Sequence, residues 1–400
     1  MMSVRQSGQL YLAVSLRFLI YFCHWMILAY MPVFLKGAGF ADFDIGLAIS
    51  LYSLTSMALM LPMGAFSDVF SPRYTLMAGA LVFALSFAAL SYLAAHVMFW
   101  PLMGAIGLSG LGVAALIVVS ESLFLKIFGQ EQRGRRIGLY QFSTYLGFGL
   151  GPLAGGYLIS YAPSALFLGA LMISLLIFAV SWALTDCPPI DFSFRQYIYD
   201  LKRPKALLLT ACVFVLGTHF GVEQTSFSLL LKENLALSSR TIGMVFTCIG
   251  VWMAVMVPFV GRLHDRHDSI FIFLLVGLGI SGLFQALTAL AGGLLSVIVI
   301  RILHTMGDTM AMLELSVLIS MFFPAARLGG SAGFMYAVRT TATFVSALGA
   351  GLINRYWGYP TSFLINGIFV MVFALCSLLF ILGSGRRRQA LGWQAADFGA

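Results

Sequence analysis

Four hundred residues would make two or three ordinary soluble domains, but 60% of this chain is Ala, Val, Ile, Leu, Met, Phe, Trp, Tyr or Cys and only 10% is Asp, Glu, Lys or Arg. Soluble domains carry about 25% charged residues, so 23 basic and 15 acidic side chains could not cover a chain of this length in water. Composition excludes a soluble globular protein and leaves a polytopic membrane protein. The 35 Phe and 41 Gly suit lipid-facing and helix-packing surfaces, and the alternation of barrel strands is missing, so the spans read as helices. The net charge of +8 comes from short basic runs beside apolar stretches, which is the orientation pattern of membrane proteins and implies no nucleic-acid partner.

In chain order, twelve apolar runs of roughly 20 residues follow one another, at about 10–35, 44–66, 74–95, 98–122, 137–160, 163–184, 205–231, 240–260, 270–291, 294–317, 331–354 and 359–382. The first lacks a small-residue cleavage site and exceeds a signal-peptide core, so it is expected to remain as a helix of the mature protein. Twelve spans put both ends of the chain on one side. Sixteen of the 23 Lys and Arg residues flank that side, against Lys36, Lys232, Arg240 and Arg355 on the other, which predicts cytoplasmic termini.

Cys23, Cys212, Cys248 and Cys376 fall in spans and Cys187 in an inner loop, so no disulfide is expected. The short loops carry no Asn-x-Ser/Thr sequon, which favours a bacterial inner membrane. The one long inner loop, Thr185 to Lys205, is polar and holds Pro188, Pro189 and Pro204. It divides the chain into a first six-helix bundle (1–184), a cytoplasmic linker (185–204), a second bundle (205–384) and a cytoplasmic tail (385–400).

An internal repeat supports that division. Ile45-Gly46 recurs as Ile242-Gly243, Ala58-x-x-x-Pro62 as Ala254-x-x-x-Pro258, Gly64-x-x-x-Asp68 as Gly261-x-x-x-Asp265, and Tyr140 with Thr144 as Tyr336 with Thr340. Two parallel six-helix repeats joined by an inner linker form a transporter architecture.

Between spans 2 and 3, Gly64, Asp68 and Arg73 resemble the loop motif Gly-x-x-x-Asp-x-x-Gly-Arg-Arg of the major facilitator superfamily, with Ser71 and Pro72 departing from it. Gly261 and Asp265 repeat the pattern without the arginines. In that family the loop latches the two halves in the outward-open state; the alternative is a tight polar turn. In span 5, Gly138, Gly147, Gly151, Pro152, Gly155 and Gly156 match the family's antiporter motif, Gly-x8-Gly-x3-Gly-Pro-x2-Gly-Gly, at every fixed position. Such spacing lets helices pack closely and Pro152 can kink the span. The resemblance implies a proton-coupled exporter with a sealed inner leak; glycine packing in a gate helix of any kind is the plainer reading. Pro32-Val33 is faintly similar to another exporter signature. Arg301-x-x-His304-x-x-Gly307 in span 10 is similar to the arginine motif that the family usually shows in span 4, where this chain has Ile106. The resemblance covers essentially the whole chain and implies an all-α fold of twelve transmembrane helices in two pseudo-symmetric six-helix bundles.

A charge at mid-bilayer costs at least a few kcal/mol, so those retained face a cavity or a partner. Seven charged residues lie in spans: Arg17, Glu121, Glu223, Arg301, Asp308, Glu314 and Arg339, with His24, His219 and His304 beside them. In the resembled fold spans 1, 4, 7 and 10 line the central cavity, and all but Arg339 fall there. His219 and Glu223 are i, i+4 neighbours, and Arg301, His304 and Asp308 follow at i, i+3 and i+7, so each set shares a helix face.

Burial favours the neutral form of a carboxyl group and a nearby cation the charged form, the opposition a proton carrier needs. Glu223 and Asp308 are therefore the expected protonation sites, with His219 and His304 as relay or as polar packing; a structural ion pair of Asp308 with Arg301 or Arg339 is the alternative. Glu121 and Glu314 are read as gate salt bridges near the inner ends of spans 4 and 10, Glu121 with Arg73. Arg17 reaches the inner surface by snorkelling or contributes with His24, Arg301 and Arg339 to a substrate site, the last two suiting an anionic group.

His264-x-x-His267 with Asp265 and Asp268 reads as a solvated turn, so no metal is expected, and no cofactor beyond a proton gradient. Neither a phosphate-cradling loop nor a catalytic constellation is present, which argues against an enzyme or an ATP-driven pump. The expectation is a monomeric secondary carrier in a lipid bilayer, moving a small organic or amphipathic compound outward in exchange for protons. Alternatives are proton-coupled uptake of an organic anion, lipid translocation, or a receptor that transports nothing.

Overall fold

In lipid a backbone must satisfy its own hydrogen bonds, so apolar runs of this length fold as helices. The computed structural model describes residues 4–128, 133–186, 204–264, 270–323 and 328–382, and the statements below concern those residues. The first half holds α1 (Val4–Leu28), the short α2 (Met31–Gly37), α3 (Asp42–Val69), α4 (Pro72–Leu93), α5 (Phe99–Phe128), α6 (Arg133–Tyr161) and α7 (Pro163–Ala183). The second holds α8 (Pro204–Val222), α9 (Ser239–His264), α10 (Ile270–Leu287), α11 (Leu294–Phe322), α12 (Leu328–Trp357) and α13 (Tyr359–Leu382). Most of the expected linker and the expected tail lie outside the described residues.

Each of the twelve expected spans corresponds to one long helix, with α2 continuing the first. Ten stretches are long and apolar enough to cross a membrane. The helices outside that set are α6, of 29 residues, and α12, of 30. Both replace aliphatic side chains with glycine, hydroxyl and arginine residues because both are packed between other helices.

Successive long helices alternate in direction, so the region around residue 185 shares one face with the α3–α4 turn: Gln9 bonds Ala183 O and Thr185 N, and Arg73 N lies 3.5 Å from Asp186. This is the linker face. The opposite, distal face carries α2 and the α12–α13 turn, where Gly39 (φ 88°) and Gly358 (φ 78°) adopt a left-handed backbone that favours glycine.

Large apolar side chains point outward from α4, α7, α10 and α13, among them Leu85, Met172, Leu283 and Leu379, and supply a lipid-facing surface. The halves meet along α3 with α12 and along α6 with α9. One apolar core runs from the first half into Phe227, Ile242, Phe246 and Ala347 of the second, and another lies among α8, α10, α11 and α13.

The repeated glycines sit where the halves cross. A Cβ on Gly46 would stand 2.7 Å from Gly351 Cα, and one on its repeat partner Gly243 would stand 2.7 Å from Pro152 O. Around these crossings Tyr30 donates to Ser239 O at 2.7 Å, Tyr359 to Asp42 at 2.7 Å and Ser50 to Phe344 O at 2.9 Å, and together they seal the distal face.

The α6 glycines serve two faces of one helix. A Cβ at Gly147 would meet Phe18 O at 2.7 Å and one at Gly155 would meet Met26 O at 2.7 Å, while Gly151 lies against Phe22 O, so these three seat α6 on α1. Gly156, with Gly149 between the motif positions, faces α9 instead: a Cβ there would stand 2.6 Å from Ser239 O and 3.2 Å from Gly250 Cα respectively. Pro152 is inside α6 and Gly138 is in its first half.

At the α3–α4 turn, Ser71 accepts from Tyr74 N at 3.3 Å as the N-cap of α4 and Pro72 occupies the first turn. The two departures from the resembled motif are thus a helix start. Gly64 O accepts from Ser67 Oγ at 2.8 Å, and Ser67 also reaches Ser122 on α5 at 3.1 Å. Asp68 falls in the last turn of α3, not at the start of α4, and is described only as helix backbone. Asp265, with most of the His264–Asp268 turn, lies outside the described residues, and Gly261 lies near the end of α9. Cys23, Cys212, Cys248 and Cys376 are unpaired, and Cys187 lies outside the described residues.

Candidate functional site

Each half buries one ion pair between the helices that correspond to spans 1 and 4, or 7 and 10. In the first half Arg17 on α1 is fully buried and does not snorkel. Its guanidinium donates to Glu121 at 3.1 Å, Thr144 Oγ1 at 3.0 Å, Ile117 O at 3.3 Å and Ser120 Oγ at 3.5 Å, and lies 4.4 Å from the Tyr21 ring. The expected partner of Glu121, Arg73, is replaced by Arg17, because α5 places Glu121 inside the bundle and not at the α3–α4 turn. Glu121 also accepts from Tyr336 of the second half at 2.7 Å. Glu314 is fully buried on α11.

In the second half Arg301 pairs with Glu223. Its other amino group donates to Gln285 on α10 at 3.0 Å, and the guanidinium lies 4.7 Å from the Phe227 ring. Two histidines join the same centre. His304 Nε2 is 3.1 Å from both Glu223 and Asp308, and His219 Nε2 is 3.4 Å from Asp308 and 3.7 Å from Glu223. Asp308 also accepts from Ser281 Oγ at 2.6 Å, and Ser281 O lies 2.9 Å from His304 Nδ1. All five residues foreseen as a cluster are thus in contact, and the partner of Arg301 is Glu223, not Asp308.

Glu223 opens a π-helical turn, Glu223–Phe227, and a second follows at Leu230–Asn234. Such turns widen a helix by one residue and re-aim its side chains. His219 and Glu223, four residues apart, share the face toward α11 by regular helical spacing, and the π-turn starts only at Glu223. Ser281 and Gln285 were not anticipated, although two polar residues four apart in an apolar span are a legible signal.

Two further foreseen residues stand apart from the ion pairs. His24 Nδ1 lies 2.6 Å from Tyr52 OH, and its ring packs between Tyr21, Trp25 and Tyr52. Arg339 on α12 is half-buried, lies 4.7 Å from the Tyr336 ring and 5.5 Å from the Phe220 ring, and has no acidic partner among the described residues. His24 and Arg339 lie on opposite halves, near enough to interact electrostatically.

Buried charges paired within each half, close glycine crossings between halves and an apolar outer surface are what a membrane carrier with two rocking bundles requires. The sequence profile of the Major Facilitator Superfamily matches this chain twice, over residues 13–223 and 207–396. The chain belongs to the Major Facilitator Superfamily. It is therefore a multi-pass membrane transporter and not an enzyme.

Relatives agree across most of its length. The Uncharacterized MFS-type transporter MJ1560 of Methanocaldococcus jannaschii is 20% identical, with 88% of this chain and 92% of that protein aligned. Multidrug resistance protein MdtH of Aeromonas hydrophila is 24% identical over 81% of each. The human organic anion transporter MFSD10 (TETRAN) shares the fold with a TM-score of 0.68 at 18% identity, covering 94% of this chain and 100% of that one.

Proposed function

We propose that this protein exports a small organic or amphipathic compound in exchange for protons, with Glu223 and Asp308 as the groups that carry the proton. The observation behind this reading is the second-half network, in which two buried carboxylates share two imidazoles and one guanidinium. In so tight a group the loss or gain of one proton redistributes every pair. The span 5 motif and the likeness to a multidrug resistance protein favour export. The halves are the segments 1–184 and 205–384 joined by the linker at 185–204, the termini are cytoplasmic, and the membrane is a bacterial inner membrane. With that orientation the closed distal face is the outer one. Gly46, Gly243, Gly149 and Gly250 are then the hinges of the outer gate, and Glu121 with Tyr336 belongs to the inner one.

The test uses proteoliposomes that hold the full chain in one orientation. A compound selected by thermal shift is expected to move against its gradient when protons are supplied on the distal side, and to stop when the pH gradient is collapsed. Uphill movement that ignores the gradient would contradict the coupling.

One observation favours a second reading. Among the described residues Arg339 has no carboxylate partner, and it is held on aromatic faces near His24. It suits the anionic group of an aromatic substrate, so uptake of an organic anion is the rival, and the direction of flux decides.

A further inference from the structure

The geometry of the second-half cluster points beyond proton exchange. His304 turns Nδ1 toward Ser281 O at 2.9 Å, which fixes the ring with Nε2 facing inward. Around that nitrogen stand Asp308 Oδ2 at 3.1 Å and Glu223 Oε1 at 3.1 Å. His219 Nε2 lies 3.4 Å from the same Asp308 oxygen and 3.7 Å from Glu223 Oε2. Both rings are buried, yet neither inward nitrogen has an aligned hydrogen-bond partner. The four side chains converge on one small space, at whose edge Glu223 Oε1 also meets Arg301.

Four atoms set tetrahedrally about zinc, at about 2.0 to 2.1 Å from the ion, are about 3.3 Å from each other. The separations of 3.1 and 3.4 Å from Asp308 Oδ2 to the two imidazole nitrogens are close to that value. The donor atoms of His219, His304 and Asp308 all lie within 4.8 Å of one another, so a small closure of the rings completes the set.

We propose that His219, His304 and Asp308 bind a divalent cation of the zinc class, with Glu223 as the fourth position, facing the cavity. Two imidazoles beside carboxylate select zinc, cobalt or nickel over magnesium or calcium, which prefer oxygen alone. The outer shell is already built: Ser281 O holds His304, and Ser281 Oγ holds the second oxygen of Asp308 at 2.6 Å. With neutral imidazoles, Glu223, Asp308 and Arg301 sum to one negative charge, and a divalent ion turns it into one positive charge. Glu223, with 14% of its side chain exposed against 5% or less for the other three, marks the approach. All four side chains come from α8, the π-turn after it and α11, within one half, so binding leaves the two halves free to rock. The ion and the transported proton would compete for the same carboxylates.

The experiment is titration of the metal-stripped, full-length protein in detergent with zinc chloride, followed by zinc X-ray absorption. One saturable site per chain is expected, with imidazole scattering and zinc–nitrogen distances of about 2.0 to 2.1 Å. His219→Gln and His304→Gln weaken it at least about 10-fold, and Ser281→Ala, which removes a supporting contact, about 10-fold to 100-fold. Magnesium chloride gives no saturable binding. Absence of a one-per-chain zinc site in the unaltered protein overturns the proposal even if every variant fails to fold. Binding that survives His219→Gln and His304→Gln unchanged overturns it as well.

Discussion

Three buried or half-buried arginines serve three purposes because their neighbours differ. Arg17 is saturated by Glu121, Thr144, Ser120 and the Ile117 carbonyl, so it holds the first bundle together. Arg301 is committed to Glu223 and Gln285, whereas Arg339 rests on the Tyr336 and Phe220 rings and is the cation proposed to meet an anionic ligand. Arg339→Ala is expected to cut transport of an anionic substrate at least 10-fold, as loss of a charged contact costs about 1.5 to 3 kcal/mol, and to leave neutral compounds unaffected; radiolabelled flux checks it. Glu121→Gln strands the buried Arg17. Because Glu121 keeps 20% of its side chain exposed, the stability loss should fall near the low end for a broken buried pair, about 3 kcal/mol. Tyr336→Phe removes only the bond between halves, so it should lower thermal stability by less than half as much while raising the rate of exchange. The spacing of Arg301, His304 and Asp308 on one helix face was enough to foresee their meeting. The Arg17–Glu121 pair was not foreseen, because its members are over 100 residues apart and periodicity within one helix says nothing about which helix lies opposite.

At the scale of elements, one glycine-rich helix performs two kinds of packing. Gly147, Gly151 and Gly155 follow a spacing of four and face α1 within the first half, whereas Gly149 and Gly156 face α9 of the other half. The span 5 motif foretold close approach but not its direction, and Gly149, which lies outside the motif, meets Gly250 of α9. The two classes of substitution should therefore separate. Gly151→Ala overpacks the α1–α6 seam and is expected to lower stability by about 2 kcal/mol, read as a lower melting temperature with little change in conformation. Gly250→Ala, whose Cβ would stand 2.7 Å from Gly149 N, should instead loosen the distal closure. Spin labels at the distal ends of α6 and α9 should then report a longer distance. The π-turn at Glu223 was invisible in the sequence, since nothing in Glu-Gln-Thr-Ser-Phe differs in hydropathy from a regular helical turn.

At the scale of the molecule, the arithmetic of composition was the most informative sequence signal. A chain with 10% charged residues has to place them at the membrane surface or pair them inside, and among the described residues the buried ion pairs form inside each half, while Glu121 and Asp42 accept tyrosine hydroxyls from the other half. Halves that keep their own charges neutral can separate and rejoin without exposing an unpaired ion to lipid. The repeat at offsets near 197 residues, legible from Ile45-Gly46 and Ile242-Gly243, places matching glycines at both crossings, so the two seams can open and close by one motion. The chemical asymmetry then decides the work: Arg17 with Glu121 is a plain pair, whereas Glu223 and Asp308 share two histidines.

Counterflow in proteoliposomes tests this most directly, because it separates movement of the carrier from its coupling. Glu223→Gln and Asp308→Asn are expected to exchange substrate down its gradient at rates near those of the unaltered protein while losing every response to an imposed pH gradient. If both variants still concentrate substrate when the distal side is acidified, the two carboxylates do not carry the proton.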